Sequence, residues 1–135
     1  MVHYRDRAAS FLRSAEHLVE WDAAEHAPSI GLLAVHGSIA LTDAVLVAVE
    51  GSRSKDDSHG EAVRRLKGWC AAKGLPDGGI THLDWLMKKK HDFSYGDHPV
   101  READFSIAKV KMDQFFAWTF RTFPEVAQLE GSSDA

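Results

Sequence analysis

The sequence predicts a single all-α domain, an up-and-down bundle of four to five helices spanning residues 1–130. Apolar residues recur at helical spacing along most of the chain, and no segment alternates with the period of two that is typical of a strand. The four prolines all lie between these periodic segments, where they do not interrupt a helix: Pro28, Pro76, Pro99 and Pro124. We expect residues 131–135 to form a disordered tail.

The first two helices follow from the position of their apolar residues. From Tyr4 to Trp21 these residues occupy one face, which indicates an amphipathic helix. From Pro28 to Glu50 they occupy nearly every direction, so this helix should be central and should end at Gly51. Its length also suits a membrane span, but a central Asp43 would cost about 2.5–3.5 kcal/mol on insertion. We therefore expect no membrane contact.

Two shorter helices should follow. Ser58 and Glu61 have the spacing of a capping box and predict a third helix that reaches Lys73. A fourth helix should carry an apolar stripe and end in three lysines, which suit a helix C-terminus: Ile80, Leu83, Leu86, Met87, then Lys88, Lys89 and Lys90. Residues 91–98 are interpreted as a connecting loop.

The last helix should run from Pro99 to Phe123, and it carries two apolar stripes on roughly opposite sides. The first stripe consists of Phe105, Ala108, Met112, Phe115, Phe116, Thr119 and Phe123. The second consists of Ala103, Ile107, Val110, Gln114, Ala117 and Trp118. One stripe suffices for a helix on the outside of a monomeric bundle, so the second predicts a homodimer. The alternative is that short helices cover this helix on both sides.

Composition narrows the functional classes. The chain of 135 residues has 44% hydrophobic residues and a net charge of −4, which suits a globular domain and argues against general nucleic-acid coating. The single Cys70 excludes an internal disulfide. The first residues lack the apolar stretch of a signal peptide, so we expect a cytoplasmic protein. The eight histidines form neither a Glu-x-x-His pair nor a His-Glu-x-x-His motif, so we expect no metal and no cofactor.

Two groups of polar residues could carry chemistry. His36 and Asp43 lie seven positions apart on one face of the apolar second helix. They form a polar pocket, a pair of satisfied structural residues, or a stripe that faces solvent. The densest polar segment is 88–98, where a phosphate could bind near an acid or base. Its candidate ligand-binding residues are Lys90, His91, Asp92 and Tyr95. A solvated loop after a basic helix end is the simpler explanation of the same segment.

The order of these features resembles the HEPN superfamily, helical domains associated with prokaryotic toxin–antitoxin pairs and RNA processing. The resemblance covers most of the chain and rests on three segments. These are the central helix around 34–44, the segment Ser58-His59-Gly60-Glu61-Ala62-Val63, and the junction Lys90-His91-Asp92-Phe93-Ser94-Tyr95-Gly96 leading into the last helix. The resemblance implies a dimer whose polar junctions line a shared cleft, a nucleotide or RNA ligand, and a possible protein partner such as a nucleotidyltransferase-type antitoxin.

Active members of that superfamily resemble metal-independent ribonucleases that use an Arg, four to six intervening residues and a His. This sequence departs at both positions, because Lys90 stands at the Arg and Tyr95 at the His. Lys lacks the planar guanidinium fork, and an unperturbed Tyr, with a pKa near 10, is a poor base at neutral pH. We therefore expect a binding or regulatory module in which His36 and Asp43 lie behind the ligand-binding residues and support them. The alternatives are a divergent ribonuclease that uses His91 or His98, and a purely structural interaction or immunity-type protein.

Overall fold

The computed structural model describes residues 3–53, 59–95 and 100–126, and these ranges contain helices and no strand. The predicted all-α class is confirmed. Five helices follow one another, and a single further turn covers residues 124–126. Their bounds are α1 His3–Asp22, α2 Ala27–Glu50, α3 His59–Lys73, α4 Ile80–Tyr95 and α5 Glu102–Thr122.

Helix α2 lies at the centre of the bundle, as its apolar composition predicts. It packs most extensively against α1, then against α5 and α4, while α3 packs mainly on α4. Its fully enclosed side chains include Val35, Leu41 and Leu46, each no more than 1% exposed. Because α2 presents apolar residues in nearly all directions, only a position between other helices removes them from water.

Two glycines of α2 let its neighbours approach closely. A Cβ atom at Gly31 would overlap the ring of Phe105 on α5. A Cβ atom at Gly37 would lie 2.6 Å from the Met112 methyl of α5 and 3.0 Å from Cβ of Phe11 on α1. The absence of side chains at these two positions therefore sets the distances from α2 to α5 and α1.

The C-terminal end of α2 is tied to α3 by one side chain. Gly51 ends α2 in the left-handed conformation, with φ 81°, and its backbone N–H donates to the Val47 carbonyl. The Arg65 guanidinium donates to the Ser52 and Arg53 carbonyls at 2.9 and 3.0 Å, and it also pairs with Glu50. This network fixes the exit from α2 against the first turns of α3.

The predicted boundary of α4 was wrong. The helix does not end at the lysines but continues to Tyr95, so residues 91–95 are helical rather than a loop. Phe93 explains the extension, because it lies seven positions after Leu86 and is buried with it. The lysines fit within the helix, since Lys88 pairs with Asp84 at 2.8 Å and the Lys89 ammonium lies over the Trp85 ring.

Other predicted boundaries differ by a few residues. Helix α5 begins at Glu102, after Arg101, whose backbone N–H donates to the Asp104 carboxylate. Ser58, Pro99 and the predicted tail lie outside the described residues, so the capping box at Ser58 stays a prediction.

Of the described helices, α2 is the one long and apolar enough to cross a membrane. In this fold 56% of its most apolar 18-residue window is buried inside the protein. The core helix of a bundle can be as long and as apolar as a membrane span for this reason. The expectation of no membrane contact stays a prediction.

We predict that Gly31→Ala destabilises the protein by about 1–3 kcal/mol, because the added methyl overpacks the contact with Phe105. Gly68 on α3 is the matched control. A Cβ there meets nothing within 4 Å, so Gly68→Ala should stabilise by about 0.5–1 kcal/mol through helix propensity. Urea unfolding measures both changes, and equal effects of the two substitutions would contradict the close approach of α2 and α5.

Candidate functional site

The structure places the predicted ligand residues on the last turns of α4 and separates them. Successive residues of a helix are rotated by about 100°, so Asp92 lies on nearly the opposite side of the helix from Lys90. His91 and Tyr95 share the solvent side, where their ring centroids lie 4.9 Å apart and Tyr95 is 73% exposed. Residue His98 lies outside the described part of the chain. The structure thus groups His91 with Tyr95, and it leaves Asp92 apart.

Lys90 is half-buried and lies towards His36 of α2. Partial burial of the imidazole lowers the pKa of His36, and the nearby Lys90 ammonium lowers it further. Asp43, predicted to share the face of His36, is half-buried, and His36 is the more exposed of the two although its surroundings partly exclude water. The two predicted support residues therefore lie in different surroundings, and His36 is the one near the junction.

A cavity lies elsewhere, between the α3–α4 turn and the C-terminal half of α5. We call it the turn groove; its volume is about 680 Å³. Its lining residues are Leu75, Pro76, Gly78, Gly79, His82, Gln114, Ala117, Trp118, Arg121 and Thr122. No pattern in the sequence predicts a function for His82 or Arg121, because they are 39 positions apart in the chain and share no motif.

Trp118 builds this groove. Its indole N–H donates to the Pro76 carbonyl at 3.0 Å, and its ring packs so closely on Gly79 that a Cβ there would overlap it. Phe115 and Phe123 support the ring, with centroids 5.8 and 5.7 Å from it. The α3–α4 turn is therefore held at a fixed position against α5, although the two partners of the hydrogen bond are 42 positions apart in the chain.

The groove is cationic. Burial lowers the pKa of His82, and the ammonium of Lys111 on α5 lowers it further. The buried Nδ1 of His82 has no hydrogen-bond partner within the described ranges. Arg121 is exposed and forms no ion pair with any described residue. Asp77 is the acidic residue of the turn, and it does not line the groove. Burial of the Cys70 thiol raises its pKa, and the nearby negative charge of Asp77 raises it further.

The second stripe of α5 is exposed, apart from one member. Val110 is 53% exposed and Ile107 39%, and Ala103, Gln114 and Ala117 are also exposed. Trp118 is buried at 4% exposure and belongs to the turn groove instead. The short helices therefore do not cover this side of α5 within the described part of the chain.

If position 118 is left out of the second stripe and the exposed Arg121 is added, the remaining positions are spaced alternately four and three residues apart, as in the seam of a coiled coil. We call positions 103, 107, 110, 114, 117 and 121 the α5 seam. The first stripe, in contrast, is buried throughout.

His, Cys, Asp and Glu side chains do not come together in a group of three that could hold a metal ion, in the residues whose positions are described. No family model matches the sequence, and no curated protein or solved structure matches it either. The class that fold and site define is a small helical bundle with a cationic groove and an exposed helical seam. Its function has to be inferred from these residues.

We predict that the stability of the protein falls as the pH is lowered below about 6.5, partly through His82. Its pKa is 6.5 in the unfolded chain and lower in the folded one, so between the two values the unfolded chain binds more protons and is favoured. His82→Gln should reduce the difference in unfolding free energy between pH 5 and pH 7.5. His36 has the same direction of shift, so part of the dependence should remain.

Urea unfolding of the wild type, His82→Gln and the exposed control His17→Gln measures this contribution. An unchanged pH dependence in His82→Gln, or an equal change in the control, would contradict the assignment of the shift to His82.

Proposed function

We propose that this chain is a homodimeric, HEPN-like binding and regulatory module that associates with RNA or nucleotide and is not an efficient ribonuclease. The observation that carries the proposal is the exposed α5 seam. The seam exposes Ile107 and Val110 together with two alanines, at 103 and 117, and a cluster of exposed apolar side chains on a folded domain usually marks a contact. Because the seam has coiled-coil spacing, the partner that suits it is another helix.

The seam is complementary to itself in an antiparallel pair. Residues of two antiparallel helices that are equidistant from the crossing point lie at the same height. About Met112, Val110 and Gln114 are each two residues away, Ile107 and Ala117 each five, and Ala103 and Arg121 each nine. Every seam position therefore meets another seam position of the second copy, which is the requirement of a two-fold interface.

The pairing also matches side chains by size. The larger Ile107 would lie opposite the small Ala117, and Ala103 would leave room for the long Arg121. Gln114 opposite Val110 places a polar group near the centre of the seam, which fixes register at some cost in stability. These features favour a second copy of this chain over an unrelated helix.

The solvent side of α4 supports the association with RNA or nucleotide. Tyr95 is 73% exposed and lies beside His91, next to the sequence Lys88-Lys89-Lys90. An exposed aromatic ring beside cations is the composition of surfaces on which unpaired bases stack while phosphates meet positive charge. A regulatory role and a protein partner of the nucleotidyltransferase-type antitoxin class enter the proposal through the resemblance alone.

The arrangement of the same residues argues against efficient cleavage. Acid–base catalysis requires the proton-transferring group and the charge-stabilising group to converge on one reacting phosphate. Lys90 lies towards His36, and His91 lies with Tyr95 on the solvent side, about 100° away around the helix. We therefore assign this surface to binding.

We predict that the protein sediments as a dimer and that Val110→Glu weakens the dimer roughly tenfold or more, because burial of an unpaired carboxylate at the seam is unfavourable. Gln114→Leu should strengthen it by replacing the polar group at the seam. Ser14→Glu, at an exposed position of α1, is the matched control and should leave the dimer unchanged. Sedimentation equilibrium measures all four proteins, and a monomeric wild type at high protein concentration would overturn the pairing.

We predict that a single-stranded RNA oligomer binds at low salt. Tyr95→Ala should weaken this binding by about 1–3 kcal/mol through loss of a stacked base, and Lys90→Ala should weaken it less, through loss of one positive charge at the edge of this surface. Lys67→Ala, which removes an exposed lysine from α3, is the control for charge alone. Fluorescence anisotropy of labelled RNA provides the affinities. Affinities unchanged in the Tyr95 and Lys90 variants would remove the basis of the RNA proposal.

The same RNA, incubated without metal and examined on a gel, tests the alternative. Cleavage that is lost in His91→Ala or in His98→Ala would establish the divergent ribonuclease instead. Intact RNA at high protein concentration supports the binding module.

A further inference from the structure

We propose that the turn groove is a binding site for a small organic phosphate, in which Arg121 pairs with the phosphate and an apolar part of the ligand lies against Leu75, Pro76 and Trp118. This inference goes beyond the proposed function. It requires neither the pairing of two chains nor the RNA surface of α4, because the groove lies between the α3–α4 turn and α5 of one chain.

The charges at the groove favour a dianion. Arg121 lines it, and Lys111 lies near enough to His82 to affect the imidazole. Neither cation forms an ion pair with a described residue, whereas Lys109 on the same helix is paired with Asp113 at 2.7 Å. Among the described residues that line the groove, none is acidic. A phosphate monoester carries about −1.5 to −2 at neutral pH, more than a carboxylate; Arg121 would pair with it directly, and Lys111, which does not line the groove, would add to the positive potential near His82.

Hydrogen-bond donors are also available. The guanidinium of Arg121 offers a planar fork that matches two oxygens of a phosphate, and Gln114 offers an amide on the same side of α5. The Gln114 side chain makes no hydrogen bond to any described residue. His82 also lines the groove, and because its Nδ1 is enclosed, the nitrogen of the neutral imidazole that can donate to a ligand is Nε2.

The remaining wall suits an apolar body. Leu75 and Pro76 form one side, and the ring of Trp118 is held in place by its hydrogen bond to Pro76. A volume of about 680 Å³ falls within the range of about 300–1,000 Å³ that small-molecule sites occupy. An apolar wall that the Trp118 hydrogen bond holds in place, beside the Arg121 guanidinium, is thus present before any ligand arrives.

Three residues belong to both the groove and the α5 seam, because Gln114, Ala117 and Arg121 line the groove and also lie on the seam. A second copy seated on the seam would stand at the edge of the groove. Ligand binding should therefore be measured in the wild type and in Val110→Glu, so that a failure of pairing and a failure of binding are read separately.

The probes are phenyl phosphate, benzoate and benzyl alcohol, which share a ring and differ in charge. Isothermal titration calorimetry should show saturable binding of phenyl phosphate, with benzoate at least several-fold weaker and benzyl alcohol weaker still. Arg121→Gln should weaken phenyl phosphate about tenfold to a hundredfold, since it removes a charge-assisted pair. Arg13→Gln, an exposed arginine of α1, is the matched control and should bind like the wild type.

Nuclear magnetic resonance places the ligand. The indole N–H signal of Trp118 should shift during the phenyl phosphate titration, because that group lies in the wall of the groove. The proposal is overturned by any of three results: no saturable binding up to about 10 mM, equal affinity for benzoate or benzyl alcohol, or unchanged affinity in Arg121→Gln. Binding retained in Val110→Glu would show that the groove works without the dimer. Binding lost there, with the fold intact, would overturn the assignment to a single chain.

Discussion

The burial of α2 is the constraint on which the rest of this structure depends. A helix with apolar residues in nearly every direction has no face to present to water, so other helices must surround it. Three neighbours do so, and the glycines at 31 and 37 let α1 and α5 approach without a side chain between the backbones. This contact fixes the position of α5. The position of α5 in turn determines where the turn groove and the α5 seam lie.

Helix α5 divides its surface between the core, the turn groove and the exposed seam. The buried stripe ends in aromatic residues that hold Trp118, and Trp118 in turn holds the α3–α4 turn. The remaining side of the helix carries the seam. Because Gln114, Ala117 and Arg121 take part in both surfaces, the groove and a seam-bound partner would affect each other. This physical proximity, rather than any shared sequence motif, connects the two proposals.

The polar junction was the part of the site most open to misinterpretation. Three lysines followed by histidine and aspartate are typical of a helix end and a loop, and this composition led to the predicted boundary at Lys90. The buried Phe93 was the signal for a longer helix, since it continues the stripe of Leu86. Once the segment is helical, side chains two positions apart point in nearly opposite directions, so Lys90 and Asp92 separate. No comparable signal in the sequence pointed to His82 and Arg121.

The sequence by itself determined the all-α class, the central place of α2, its end at Gly51 and the two stripes of α5. These are properties of local periodicity and of single residues, which the order of amino acids states directly. The tertiary structure alone decided that Trp118 belongs to the turn rather than to the seam, and that His82 and Arg121 line one groove. Such contacts join residues far apart in the chain, and they form only because packing around α2 brings the α3–α4 turn onto α5.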